Sequence, residues 1–152
     1  MAEPTVLREP EQEVVLAEAQ TVLAMVEDGP FRGDLAALIA AVQEGEIDES
    51  DQSTLEQLLE LGLQAGRIRA VYGPGGEQAA LGLYRRLPRG AELTGSARAV
   101  TRALAALRGQ PLESISIQAV GPGAFSVSVS AGGTELSVRL DRQGARLASV
   151  GV

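Results

Sequence analysis

The chain has 152 residues, 45% of them apolar, and a formal net charge of −7. It contains no cysteine and no histidine, which excludes disulfides, thiol catalysis and thiolate or imidazole metal sites and leaves only carboxylates for hard cations. Every basic residue is an arginine; with abundant alanine, glycine, leucine and valine, that is the composition expected of a GC-rich bacterial genome.

The length suits one domain, or one domain with a helical extension. Aromatic residues are limited to Phe31, Tyr72, Tyr84 and Phe125, so the core is expected to be aliphatic and rich in alanine. No basic region followed by an apolar core opens the chain, and no apolar run is long enough to span a bilayer. A cytoplasmic protein without a membrane partner is therefore expected. Charge is divided along the chain. Through Glu60, fifteen acids face only Arg8 and Arg32, a balance of −13; from Leu61 onward, eleven arginines face five acids, a balance of +6. Such a split either pairs internally or marks two surfaces with different partners.

Residues 1–10 read as a flexible polar leader. Val15, Ala19, Val22 and Val26 then recur at helical spacing from Glu11 to Glu27, and Asp28-Gly29-Pro30 ends that helix. A second helix is expected over 33–43, lined by Leu35, Leu38, Ile39 and Val42 and stopped by Gly45. The acidic link 46–51 lacks the glycine and the terminal glutamate of a calcium loop. It reads instead as the approach to a third helix, with Ser50 or Ser53 as N-cap and Glu56 closing a capping box. Helical spacing through Leu61, Ala65, Ile68 and Tyr72 predicts that this helix continues across Gly66 to Gly73.

Gly73-Pro74-Gly75-Gly76-Glu77 opens a fourth helix, reaching about Leu87. A glycine-rich turn before a helix can cradle phosphate. Here the Walker lysine and hydroxyl are absent, Pro74 removes an amide donor, and Glu77 repels anions, so a tight turn is expected. A fifth helix is expected over 95–108, capped by Thr94 or Ser96, with Val100, Ala103, Leu104 and Leu107 as its buried stripe.

The last third alternates strictly: Ile115, Ile117 and Ala119; Phe125, Val127 and Val129; Leu136, Val138 and Leu140. A two-residue loop at Gly132-Gly133 sets Val129 against Leu136, Val127 against Val138 and Phe125 against Leu140. A three-residue loop at 121–123 sets Ala119 against Phe125, Ile117 against Val127 and Ile115 against Val129. Turn chemistry and apolar pattern agree, and a one-residue slip would undo every pair. In a fourth strand, Ala145 and Leu147 favour one face while Ala148, Val150 and Val152 favour the other. A bulge of unspecified position would reconcile them.

The expected fold is α+β: about five helices, then a three- to four-stranded antiparallel β-meander whose apolar face packs against the last helix. Residues 11–72 are expected as an acidic helical subdomain and 73–152 as a helix–helix–meander domain, the two able to pack as one. The polar face carries rows of Ser116, Ser128 and Ser137; of Gln118, Ser126 and Arg139; and of Ser114, Ser130 and Glu135. Ser116, Ser126, Ser128, Ser137 and Arg139 form a candidate docking face, because serine loses little side-chain entropy on burial.

The segment 67–108 is rich in arginine, and Arg85, Arg86, Arg89, Arg98 and Arg102 are candidates for binding an anion or an acidic partner. The acidic overall balance, the lack of lysine and the scarcity of aromatics argue against nucleic acid. No catalytic, metal or cofactor residue is nominated. The carboxylates of Glu46 and Asp48 are paired in sequence, but nothing places them in a cleft. The functional expectation is a non-enzymatic protein-interaction or adaptor module, with an anion-binding module for a phosphorylated ligand or nucleic acid as the alternative. Self-association is also expected, through the polar face or through the edge of the strand 113–120, which has no lysine or proline to discourage pairing.

Overall fold

The computed structural model describes residues 3–151. Five helices precede a four-stranded antiparallel sheet, an α+β architecture. The chain divides into two compact units, between Ala91 and Glu92. The sequence suggests a division at 72/73 instead. The two differ because the helix that follows Gly66 buries Ile68, Ala80 and Leu83 in the helical core, which holds it in the first unit.

In the helical unit, β1 (Thr5–Val6) pairs antiparallel with β2 (Glu46–Ile47). Leu7 is buried beside them, so residues 3–10 are built into the unit, not left as a leader. The helix α1 (Glu9–Met25) starts early because Pro10 fits its first turn. Arg8 precedes it, and the Arg8 N–H donates to Glu11 Oε2 at 2.9 Å. The helix α2 (Pro30–Glu44) also starts on a proline and ends at left-handed Gly45. The helix α3 (Glu49–Gln64) takes Asp48 as its N-cap residue, so Ser50 and Ser53 lie inside it.

The expected continuation through Gly66 does not form. Gly66 adopts φ +71, a left-handed conformation that glycine takes freely, and the chain turns back. The reversal brings the Ile68 side chain against Gly62, where it is fully buried. The helix α4 (Arg67–Arg86) breaks at Gly73-Pro74, the tight turn that the sequence suggests. Leu35, Leu38, Leu55, Leu58, Leu59, Leu83 and Leu87 centre the core of this unit, an aliphatic core as composition requires.

The helix α5 (Pro88–Leu104) begins at Pro88, not near Gly95. A residue before proline is driven to extended backbone, and Leu87 (φ −78, ψ 156) therefore ends one helix and immediately precedes the next. A 3₁₀ turn, Ala105–Leu107, follows.

The second unit contains α5 from Glu92 and the sheet β3 (Leu112–Gly121), β4 (Ala124–Ala131), β5 (Thr134–Asp141) and β6 (Gly144–Gly151), in that spatial order. Both expected registers are present, pair for pair. Gly132 and Gly133 have φ of +56 and +79, the two positive values a type I′ hairpin turn demands. The expected bulge lies at Ala148: Ser137 pairs with Ser149, while Val138 pairs with Leu147. This extra residue shifts the phase, so that Ala145, Leu147 and Val150 all join the face of Leu136, Val138 and Leu140.

Candidate interaction surface

The two faces of the sheet differ in chemistry and in coverage. On the polar face the expected rows form, because neighbouring strands hold Ser116 beside Ser128 and Ser128 beside Ser137. Ser137 Oγ lies 3.2 Å from Ser126 Oγ and 3.4 Å from Ser128 Oγ, so the three hydroxyls satisfy one another. Arg139, paired with Arg146 across the strands, is held by Asp141 at 3.2 Å, and Arg146 reaches the same carboxylate at 2.6 Å. The Gln143 N–H and the two arginines hold the Asp141 carboxyl below its usual range. This face is a hydrogen-bonded serine field with a paired charge at one end.

The apolar face is half covered. Ser96 on α5 accepts the Ala145 N–H at 3.2 Å, and a side chain at Gly144 would collide with Ser96 and Leu93. The helix thus lies over the β5–β6 half, where Leu136 and Val138 are 3% and 5% exposed and Val100 of the helix is buried, while Leu140, Leu147 and Val150 remain partly open. On the other half of the same face Leu112, Ile115 and Ile117 are 62%, 64% and 64% exposed, and Phe125 is 42% exposed. The apolar face packs against α5 as expected, but over only part of its width. The reason is width: a helix is about 10–12 Å across, whereas four strands about 4.8 Å apart span roughly 15–20 Å. One helix covers the middle of the β5–β6 half and leaves β3 and β4 bare. The sequence pattern marks these residues as inward, but it does not reveal that the roof is too narrow.

The candidate arginines fall into two groups. In the helical unit, Arg86 grips Glu11 through Nη1–Oε1 at 2.5 Å and Nη2–Oε2 at 3.0 Å, and Nη2 also donates to the Val6 carbonyl. Burial pushes the Glu11 carboxyl up, but the Arg86 and Arg8 hydrogen bonds and the Arg86 charge outweigh it, and the net shift is downward. Arg89 pairs with Glu60 at 2.8 Å, and its N–H donates to Glu56. Arg67, outside the nominated set, bonds the buried Glu18 carboxylate, which Tyr72 also approaches at 3.4 Å. The second group, Arg85, Arg98 and Arg102, is exposed and has no acidic partner among the described residues. Arg98 and Arg102 stand one turn apart on α5.

These ion pairs show where much of the charge asymmetry goes. The helical unit holds sixteen acids and seven arginines, net −9, and the sheet unit four acids and six arginines, net +2. Arginines late in the helical unit meet acids that come early in it.

Among the described residues no group of three or more carboxylates is placed to hold a metal ion. A cleft of about 290 Å³ in the helical unit, lined by Pro10, Glu13, Val14, Ala17, Tyr72 and Gly76, offers only Glu13 and Tyr72 as titratable groups. Burial and the nearby Glu18 charge push the Tyr72 hydroxyl up, away from activation as a base or nucleophile. No helix of the described residues is long and apolar enough to cross a membrane. No protein-family model matches the chain, and no curated protein or solved structure matches it at a significant level.

Proposed function

We propose that the chain is a non-enzymatic protein-interaction module that docks through its sheet. One observation carries this reading: the uncovered half of the apolar face, with Leu112, Ile115, Ile117 and Phe125 side by side and open to solvent. Large contiguous apolar patches on otherwise polar units mark contact sites. The polar face, with Ser116, Ser126, Ser128, Ser137 and Arg139, is the weaker candidate, since its hydroxyls and charges already satisfy one another. A photo-crosslinking residue placed at position 117 should form protein adducts in cells, and one at position 116, on the opposite face, should not. An absence of adducts from 117, with the fold intact by circular dichroism, would overturn the reading.

A second reading is an anion or acidic-peptide contact through Arg98 and Arg102. It is favoured by two exposed guanidinium groups one turn apart with no acidic neighbour among the described residues. Binding to a polyphosphate probe should weaken with salt and with Arg98→Ala plus Arg102→Ala. Binding indifferent to both would remove it.

A further inference from the structure

We infer that the bare half of the apolar face is closed by the same half of a second copy of this chain, in a two-fold, face-to-face sandwich. The inference rests on the interaction-module reading above and names its partner.

Three observations converge on this occupant. The first is a missing core. Among the described residues of the sheet unit, the buried apolar ones are Val100, Ala124, Ala131, Leu136 and Val138, and two of these are alanines. A unit of this size seldom folds on so small a core without further coverage.

The second observation is area. On the β3–β4 half Leu112, Ile115, Ile117, Ala119 and Phe125 are exposed, and Val127 and Val129 are half-buried beside them. Together they present on the order of 500 Å², within the range of the largest patch on an ordinary monomer. Covering it on both copies removes on the order of 1,000 Å², the least that a specific interface needs. No position on this face carries a charge, so closure desolvates none.

The third is fit. A second sheet stacks about 10 Å above the first, in the layer that α5, itself about 10–12 Å thick, already occupies over β5 and β6. A two-fold axis over β3 and β4 sets each bare half on the other and each α5 alongside the partner's β3 edge. The contact is isologous and closed, with no apolar half left for a third copy. This differs from dimerisation through the β3 edge or the polar face, either of which leaves the bare half open.

The test uses the full chain, whose lack of cysteine makes single-cysteine variants clean. Light scattering should give twice 15.8 kDa. A short bismaleimide should join Ile117→Cys chains into dimers and leave Ser116→Cys chains unjoined. Ile117→Glu should weaken self-association more than about tenfold, as loss of a central apolar contact does; if that variant fails to fold, the cysteine variants decide. A single-chain mass at the highest soluble concentration would overturn the inference. So would a dimer joined through position 116, or through neither position. A single-chain mass together with 117-specific adducts to another protein would remove self-association while leaving the interaction-module reading standing.

Discussion

At the scale of single residues, the chain uses arginine as a structural clamp. Glu11 and Glu18 are acids that a helix surface would normally expose, yet their side chains are 4% and 1% exposed. A buried carboxylate is tolerable only when paired and hydrogen-bonded, and Arg86 and Arg67 supply this from distant points in the chain. Arg86→Ala strands the Glu11 carboxylate. It should destabilise the helical unit by about 2 kcal/mol in urea unfolding, below the 3–5 of a fully buried pair because Arg86 itself is partly exposed. Replacing both partners with apolar residues of similar volume should recover most of the loss. The pair also sets an acid limit. The Glu11 value lies below the ordinary 4.5 in the folded chain, so its contribution is complete above 4.5 and disappears as pH falls through the lower folded value. Acid unfolding followed by circular dichroism should shift to higher pH in Glu11→Gln relative to Arg98→Ala, a control on an exposed arginine.

At the scale of elements, turns decide more than propensities. Helical spacing runs unbroken through Gly66, but the local backbone freedom of that glycine, combined with the gain from burying Ile68 against Gly62, reverses the chain. Gly66→Ala should cost about 1–2 kcal/mol, since a side chain disfavours the left-handed region. In the sheet, Ala148 carries the phase change that brings Val150 opposite Leu136. Its deletion should remove the bulge and leave Leu147, Ser149 and Val150 in unbroken alternation, with Val150 still opposite Leu136. Nuclear Overhauser contacts between Leu136 and Val150 side chains should then persist, as should those between Val127 and Val138; loss of the Leu136–Val150 contacts would contradict this placement of the extra residue.

At the scale of the whole molecule, the helical unit has an extended aliphatic core and the sheet unit has very little. Their stabilities should therefore respond differently to concentration. Unfolding of the helices, followed at Tyr72 and Tyr84, should be independent of protein concentration. Loss of the sheet, followed by backbone amide exchange in β3–β6, should shift to higher denaturant as concentration rises, as mass action requires when association completes a core. A sheet midpoint unchanged by dilution would contradict this.

The sequence by itself determined the α+β class, three of the four strands with their pairing, the serine rows and the lack of thiol or imidazole chemistry. Those properties follow from alternation, turn residues and composition, which are local and written along the chain. Only the tertiary structure decided that Arg86 and Arg89 are occupied by Glu11 and Glu60, that Leu7 is core, and that Ile115 and Ile117 lie bare. An apolar pattern states which face seeks cover, whereas the amount of cover depends on how wide the covering element is and where it lands. One helix cannot roof four strands, and this mismatch leaves the surface proposed for contact.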